Sequence, residues 1–336
     1  MDMEGLPPVT ILILNWNGKD VTYNCVSSII RNTDYPRDKL KIIVIDNGST
    51  DGSYYYLKRK LYQFRDVITV IRLKKNYYFI RGNNIGISYV LEHFDPDYIL
   101  LLNNDTKVIQ KDWLRKLVEL AESDDKIAIV GPKLIFPNGI IQWSARKKEK
   151  NPFFLILQTI TARLNPGFGE HEEQAISANF IGEVNTISGA CMLIRTEFVK
   201  KYGKLDISLY PMYQEDVEYS FRAWKHGYKV MYRGDVKVIH YEGYSMESKK
   251  LDELEYKKFY WALRNSILVS LRYFGFWKVI IFGLLIYLFV TFFDKKDKTK
   301  KLGITNIALK KNVKARIKIL KEIITEIKRR NDLWRG

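Results

Sequence analysis

Four groups of side chains along the 336-residue chain have the types and spacing needed for chemistry. Asp46 closes an apolar run and opens Asp46-Asn-Gly-Ser-Thr-Asp-Gly52. A carboxylate there can accept hydrogen bonds from a nucleobase or ribose, with an Asx turn leading into a capped helix as the structural alternative. Asp105 follows Leu101-Leu-Asn-Asn104, where a carboxylate just past a buried strand can reach a divalent cation on a diphosphate. Hard cations such as Mg2+ or Mn2+ take oxygen ligands and accept substrate phosphate into their shell. Glu215 and Asp216 open an expected helix, where acids also offset the macrodipole. The loop before them, Tyr210-Pro-Met-Tyr-Gln214, could present one of these carboxylates to a pocket. His240 stands just past Val236-Lys-Val-Ile239, another apolar strand end.

These groups need a scaffold, and the pattern of apolar runs supplies one. Residues 9–14, 41–46, 67–72 and 97–102 read as buried strands, separated by helical stretches over about 21–31, 53–64 and 83–93. Unbroken apolar strands alternating with helices predict an α/β fold whose mostly parallel sheet is covered on both faces. Such sheets bind ligands at the carboxyl ends of their strands, where Asp46 and Asp105 lie. Residues 131–182 are less regular, with loops expected at 146–150 and 165–169, and this excursion is expected to form the acceptor side. Residues 183–194 read as one extended apolar segment with Gly189 inside it, a position that suits close approach by a ligand or another backbone. Residues 215–227 read as a helix with Val217, Phe221 and Trp224 on one face and Gly227 as its stop.

Charge separates the last part of the chain from the rest. Of the formal net charge of +17, residues 294–336 carry a large share, with fifteen Lys/Arg against five Asp/Glu. Such a tail seeks nucleic acid or anionic lipid. The adjoining uncharged run 279–293 favours lipid and argues against nucleic acid. That run falls short of the ~20 residues of a spanning helix unless it extends to 274 and Lys278 snorkels. Spanning and lying on the membrane therefore stay equally open. Lys295, Lys296, Lys298, Lys300 and Lys301 follow it, as expected at a cytoplasmic membrane surface. Residues 306–330 read as a basic amphipathic helix. Two cysteines, Cys25 and Cys191, make neither a disulfide framework nor a zinc site and suit a reducing compartment. No signal peptide is expected. The Gly-X-Gly-X-X-Gly turn of dinucleotide sites and the Walker Gly-Lys-Ser/Thr are both missing, which argues against those enzyme classes.

Taken in order, the clusters resemble the family 2 glycosyltransferases, in their rhamnosyltransferase-like branch. The resemblance rests on Ile13-Leu-Asn-Trp-Asn-Gly18, Val44-Ile-Asp-Asn-Gly-Ser-Thr-Asp51 and Asn76-Tyr-Tyr-Phe-Ile-Arg-Gly-Asn-Asn-Ile-Gly86. It continues through Leu101-Leu-Asn-Asn-Asp105, Ser188-Gly-Ala-Cys-Met-Leu-Ile-Arg195, Tyr213-Gln-Glu-Asp-Val-Glu-Tyr-Ser-Phe-Arg222, His240 and Arg264-Asn265. It implies a GT-A catalytic domain over residues 1–250, with a nucleotide-sugar-binding half at about 8–130 and an acceptor/catalytic half at 131–250. A C-terminal helical extension, 251–336, would follow and associate with the membrane.

The resemblance also implies roles. Asp46 would bind the base or ribose, with Asn15, Asn17, Arg81, Asn84, Asn104 and Asp105 completing the donor side. Asp105 matches the last acid of the Asp-X-Asp motif and would hold Mg2+ or Mn2+ together with His240. Asn103 departs from that motif by replacing its first acid, so metal affinity would be weaker or depend on His240. Asp216 would act as general base, with Gly189, Ala190, Glu215, Trp261 and Arg264 on the acceptor side. Arg264, like Arg81, could instead touch the diphosphate. The implied reaction is an inverting transfer from a nucleotide-diphosphate sugar to a glycan or lipid-linked acceptor at the cytoplasmic face of the cell membrane. A polyprenyl-phosphate sugar synthase is the alternative within the class. A catalytically silent relative, or a membrane- or nucleic-acid-binding module using the basic tail, is the alternative outside it.

Overall fold

The computed structural model describes residues 3–142, 144–147, 179–241, 251–274 and 325. The chain forms two compact units, Met1–Leu251 and Asp252–Gly336.

The first unit is built on strands β1 (Val9–Asn15), β2 (Leu40–Asp46), β3 (Ile68–Arg72), β4 (Tyr98–Asn103), β5 (Thr106–Val108), β6 (Ile127–Ile135), β7 (Ala145–Lys147), β8 (Ile181–Ile187), β9 (Cys191–Arg195) and β10 (Lys229–His240). Their order is β3-β2-β1-β4-β9-β6-β10-β8-β7, with β5 on β10. Strands β1 to β4 pair in parallel, whereas β9 runs antiparallel between β4 and β6. Among the described residues the helices of this unit are α1 (Lys19–Arg31), α2 (Ser53–Lys60), α3 (Tyr78–His93), α4 (Trp113–Glu122), α5 (Thr196–Tyr202) and α6 (Glu215–Lys225).

Val, Ile and Leu fill β1, β2 and β4, and nearly every one of these side chains is buried. Such runs suit strands covered on both faces. Helix α1 buries Cys25, Val26 and Ile29, and α3 comes so close to the sheet that a Cβ on Gly86 would stand 2.2 Å from Ile45 Cδ1. The parallel register sets Asn15 beside Asp46 and Leu14 beside Asn103, so the polar ends of β1, β2 and β4 share one edge.

Several elements differ from their sequence expectation. Helix α3 begins at Tyr78 rather than near residue 83, and it takes in Gly82, where a Cβ would press on Leu14. Packing against the sheet outweighs glycine's low helix propensity there. Helix α2 ends at Lys60, and a short 3-10 turn, Tyr62–Phe64, completes the stretch expected to be helical to 64. The single extended segment 183–194 is two strands, because the chain turns at Ser188–Ala190 between β8 and β9. Arg146 and Lys147, expected in a loop, belong to β7. Helix α4 and strand β6 fill a stretch for which no elements were expected.

Helix α7 (Leu251–Phe274) begins at the boundary between the two units. Among the described residues no helix is long and apolar enough to cross a membrane. The apolar segment 274–293 beyond Phe274, the basic helix 306–330 apart from Thr325, and the loop expected at 165–169 lie outside the described residues.

Candidate functional site

A buried polar thread links the ends of β2, β1 and β4. Asp46 is fully buried and accepts a 3.0 Å hydrogen bond from Asn15 Nδ2. Asn15 Oδ1 accepts from Thr22 Oγ1 at 2.7 Å, and Thr22 Oγ1 accepts from Asn104 Nδ2 at 2.9 Å. The absence of a side chain at Gly18 leaves room for this thread, since a Cβ there would stand 3.1 Å from Asn104 Nδ2. Asn17, at φ 52°, fastens the neighbouring loop. Its amide N–H donates to Ser49 Oγ at 2.9 Å, and its Oδ1 accepts from Thr50 N–H at 2.8 Å. Arg72, at the end of β3, faces the outer oxygen of Asp46 at 3.8 Å.

At the end of β4, the buried Asp105 carboxylate meets the ring of His240. Asp105 Oδ1 lies 3.2 Å from His240 Nε2, yet it receives no hydrogen bond. The opposite ring nitrogen, Nδ1, is 2.8 Å from Gln142 Oε1, so a neutral ring holds its one proton on the side away from the carboxylate. With the ring neutral, the Asp105–His240 contact is two bases turned toward one point; only a protonated ring would make it an ion pair. Asn103 Nδ2 approaches the same imidazole nitrogen at 3.4 Å. Adjacent ligands of an octahedral Mg2+ or Mn2+ lie about 3 Å apart, since each bond is about 2.1 Å. The orphaned oxygen and the imidazole nitrogen thus fit a small divalent cation. Among the described residues there is no group of three or more His, Cys, Asp or Glu able to hold a metal. Two protein ligands, completed by substrate phosphate and water, remain a normal set for these ions.

The third feature is Asp216, half-buried in the first turn of α6. Its Oδ2 accepts from Gly189 N–H at 3.0 Å and its Oδ1 from Val217 N–H at 2.8 Å. A Cβ on Gly189 would sit 3.4 Å from Asp216 Cβ, so the turn passes directly over this side chain. The next residue, Ala190, accepts a 2.9 Å hydrogen bond from Asn103 N–H through its carbonyl. Gly189 and Ala190 therefore tie the end of β4 to the start of α6. Tyr213 (φ 78°) and Gln214 (φ 67°) lead into α6 in the left-handed region, where such strain costs about 1–3 kcal/mol per residue. Glu215 is buried beside Asp216. The third acid of the segment, Glu218, is buried against the guanidinium of Arg222, which also binds the carbonyls of Tyr202 (3.1 Å) and Lys204 (2.7 Å). Glu218 is structural.

Other residues proposed from the sequence stand differently. Asn84 commits both ends of its amide to the backbone of Leu205, at 2.8 and 3.0 Å, which makes it a fastener of the 205 turn. Arg81 is exposed on α3, with its guanidinium 4.4 Å from the centre of the Tyr210 ring. Trp261 and Arg264 stand on α7 in the second unit, where Arg264 Nε donates to Asn265 Oδ1 at 2.9 Å. Both cysteines are free and buried, and burial pushes the Cys25 thiol up to about 12, which removes it as a nucleophile. Thr22, Ser49, Arg72 and Gln142 join the site without having been singled out from the sequence. Thr22 meets Asn104 82 positions away, Ser49 meets Asn15 34 positions away and Gln142 meets His240 98 positions away, so no local pattern marks these contacts.

The mixed sheet, with acids at the carboxyl ends of its central strands, has the GT-A fold. Its solved counterparts include GalNAc-T7 with UDP, GalNAc and Mn2+, at a TM-score of 0.55 and 20% identity over 70% of this chain and 43% of that one. The mannosyltransferase PcManGT from Pyrobaculum calidifontis, in complex with GDP-Man and Mn2+, matches at a TM-score of 0.54 and 14% identity, over 96% of this chain and 84% of its own. The model of Glycosyl transferase family 2 matches residues 10–203, and the chain belongs to that family. Among its relatives, the O-antigen biosynthesis protein RfbC of Myxococcus xanthus is 25% identical over 78% of this chain but only 19% of its own length. This chain thus spans about a fifth of that relative. The low-salt glycan biosynthesis hexosyltransferase Agl10 of Haloferax volcanii is 23% identical, over 79% of this chain and 76% of its own.

Proposed function

We propose that this chain is an inverting glycosyltransferase of glycan biosynthesis, transferring a sugar from a nucleotide-diphosphate donor to an acceptor hydroxyl. The observation that carries the reading is the double tie through Gly189 and Ala190. It fixes a half-buried carboxylate, Asp216, against the strand end that bears Asn103 and, two residues on, Asp105. Family membership and the nucleotide sugars and Mn2+ named for the structural counterparts support the donor class.

The proposed steps follow from the residues. The nucleoside sits at the end of β2, where Asp46 accepts from base or ribose beside Arg72. The diphosphate lies at the end of β4. Asp105 Oδ1 and His240 Nε2 would hold Mg2+ or Mn2+ there, and when bound the ion neutralises the charge that develops on the departing diphosphate. Asp216 accepts the proton of the acceptor hydroxyl as that oxygen attacks the anomeric carbon and the sugar–phosphate bond breaks in line. Gly189 N–H and Val217 N–H hold the carboxylate in place for this, and no covalent sugar–enzyme intermediate is required.

The acceptor is proposed to be a lipid-linked glycan presented at the cytoplasmic face of the membrane, to which the apolar and basic segments beyond residue 274 would bind. This rests on the sequence of those segments. The test is calorimetry of UDP, GDP and dTDP with and without Mn2+. Metal-dependent binding of one nucleotide, lost in Asp105→Ala, is expected. A folded protein that binds none of the three would overturn the proposal.

A further inference from the structure

We infer that Gln142 is a positioning residue for the metal-binding imidazole, fixing the ring tautomer of His240 and aiming its free nitrogen at Asp105. The inference deepens the metal-dependent reading above and rests on it. Gln142 is 4% exposed and lies in the turn after β6, where its own amide N–H donates to Leu134 O at 2.8 Å. Its side chain reaches across to β10 and grips a single residue at two points. Gln142 Nε2 donates to the backbone carbonyl of His240 at 2.6 Å, and Gln142 Oε1 stands 2.8 Å from His240 Nδ1.

The orientation of this amide follows from elementary donor and acceptor rules. A backbone carbonyl can only accept, so the amide nitrogen must face it, which leaves the amide oxygen at the ring. An amide oxygen can also only accept, so Nδ1 must carry the hydrogen. In a neutral imidazole the other nitrogen, Nε2, is then a bare lone pair. That is the nitrogen 3.2 Å from the orphaned Asp105 Oδ1. The opposite tautomer would place an N–H in that gap and block a cation.

The second grip also fixes direction. By holding the carbonyl and the ring of the same residue, Gln142 leaves His240 little freedom at χ1 and χ2. This matters more in this chain than in one with two acids, because Asn103 contributes no charge. Partners that orient a ligating histidine typically govern metal affinity by 10–100-fold.

The test uses the full chain with Mn2+ and whichever of UDP, GDP or dTDP binds the wild type. Gln142→Met keeps length and burial but removes both grips, whereas Gln142→Glu keeps an acceptor for Nδ1–H while replacing the donor to the His240 carbonyl with a second, charged oxygen. Mn2+ affinity, read by calorimetry or by electron paramagnetic resonance of the free ion, is expected to fall 10–100-fold in Gln142→Met. It should stay within about threefold in Gln142→Glu. Nitrogen-15 spectra of histidine-labelled protein supply a readout free of metal and of activity, and with only four histidines the signals are few. His240 is expected as the Nδ1–H tautomer in the wild type and in Gln142→Glu, and as Nε2–H or a mixture in Gln142→Met. An Nε2–H ring in the wild type overturns the inference whatever the metal does. Equal Mn2+ affinity in wild type and a folded Gln142→Met overturns it while leaving the metal-dependent reading intact. Absence of Mn2+ binding in the wild type overturns the metal-dependent reading itself, and the inference falls with it.

Discussion

Replacing Asp216 with Asn tests the catalytic reading most directly, because the structure predicts a different size of effect on chemistry, stability and binding. The carboxylate holds two backbone donors, Gly189 N–H at 3.0 Å and Val217 N–H at 2.8 Å. An Asn side chain can accept from one of them with Oδ1, but its Nδ2 then faces the other, donor against donor. The lost charge-assisted bond costs about 1–3 kcal/mol of stability. For a unit of this size each kcal/mol lowers Tm by about 2–4 °C. Loss of a general base lowers turnover by about 10²–10⁴-fold, or about 2.7–5.4 kcal/mol at 1.36 kcal/mol per decade. The backbone donors to Asp216 come from Gly189 and Val217 rather than from the Asp46–Asn15–Thr22 thread, so nucleotide affinity should stay within about threefold. The assay is release of nucleoside diphosphate from the sugar donor, with folding checked by circular dichroism and nucleotide binding by calorimetry. A folded variant that keeps a tenth or more of wild-type turnover refutes the base assignment, and one that loses nucleotide binding refutes the division of the site.

Three other perturbations separate structural from chemical roles. Glu218→Gln breaks a buried pair with Arg222 and should cost about 3–5 kcal/mol in chemical denaturation, with turnover per folded molecule unchanged. A larger loss of turnover than of stability would make Glu218 a rival base. Lys133 on β6 is 2% exposed, and its ammonium is held below the usual lysine range, first by burial and then by Lys237. The unfolded chain therefore binds more protons between the lowered value and 10.5, so stability should rise with pH across that window. Lys133→Met should remove this slope and raise stability at neutral pH; an unchanged slope in thermal scans would contradict it. Cys25 and Cys191 should resist iodoacetamide at pH 8 in the native protein and react once it is denatured, since burial raises both thiols. Fast native labelling, followed by mass spectrometry, would show that the core around α1 and β9 opens.

What can be read from the sequence depends on whether a signal is local. The first four strands and the acids at their ends are legible because a buried parallel strand announces itself as an apolar run, and a polar residue must end it. That pattern alone puts Asp46 and Asp105 on one edge. The turn at Ser188–Ala190 is less legible. Its apolar sequence reads as one strand, and only the antiparallel insertion of β9 between β4 and β6 forces the chain to bend there. Thr22, Gln142 and the Asn84 clamp are not legible at all as parts of these contacts, since they are side chains whose partners are fixed only by tertiary packing. Asn84 shows the converse case, a polar residue within a family-like motif whose amide bonds the backbone of a residue 121 positions away.

A buried carboxylate with an empty hydrogen-bonding site costs about 1–3 kcal/mol, which a fold tolerates mainly where a ligand later satisfies it. A second acid at position 103 would place two like charges at the end of β4 and raise that cost in the apo protein. An amide there instead approaches His240 Nε2 at 3.4 Å and leaves Asp105 as the sole formal negative charge of the Leu101–Asp105 motif. On the proposed reading, Asn103 thereby lowers the cost of Asp105 standing without a cation and makes cation binding depend on the imidazole. Restoring the acid tests this trade. Asn103→Asp should tighten Mn2+ in the presence of nucleotide and lower Tm in its absence. It should also reduce the penalty of Gln142→Met, because a second charged ligand would no longer leave the ion so dependent on the aim of His240. Additive effects of the two substitutions on Mn2+ affinity would show that Asn103 and His240 do not share the ion.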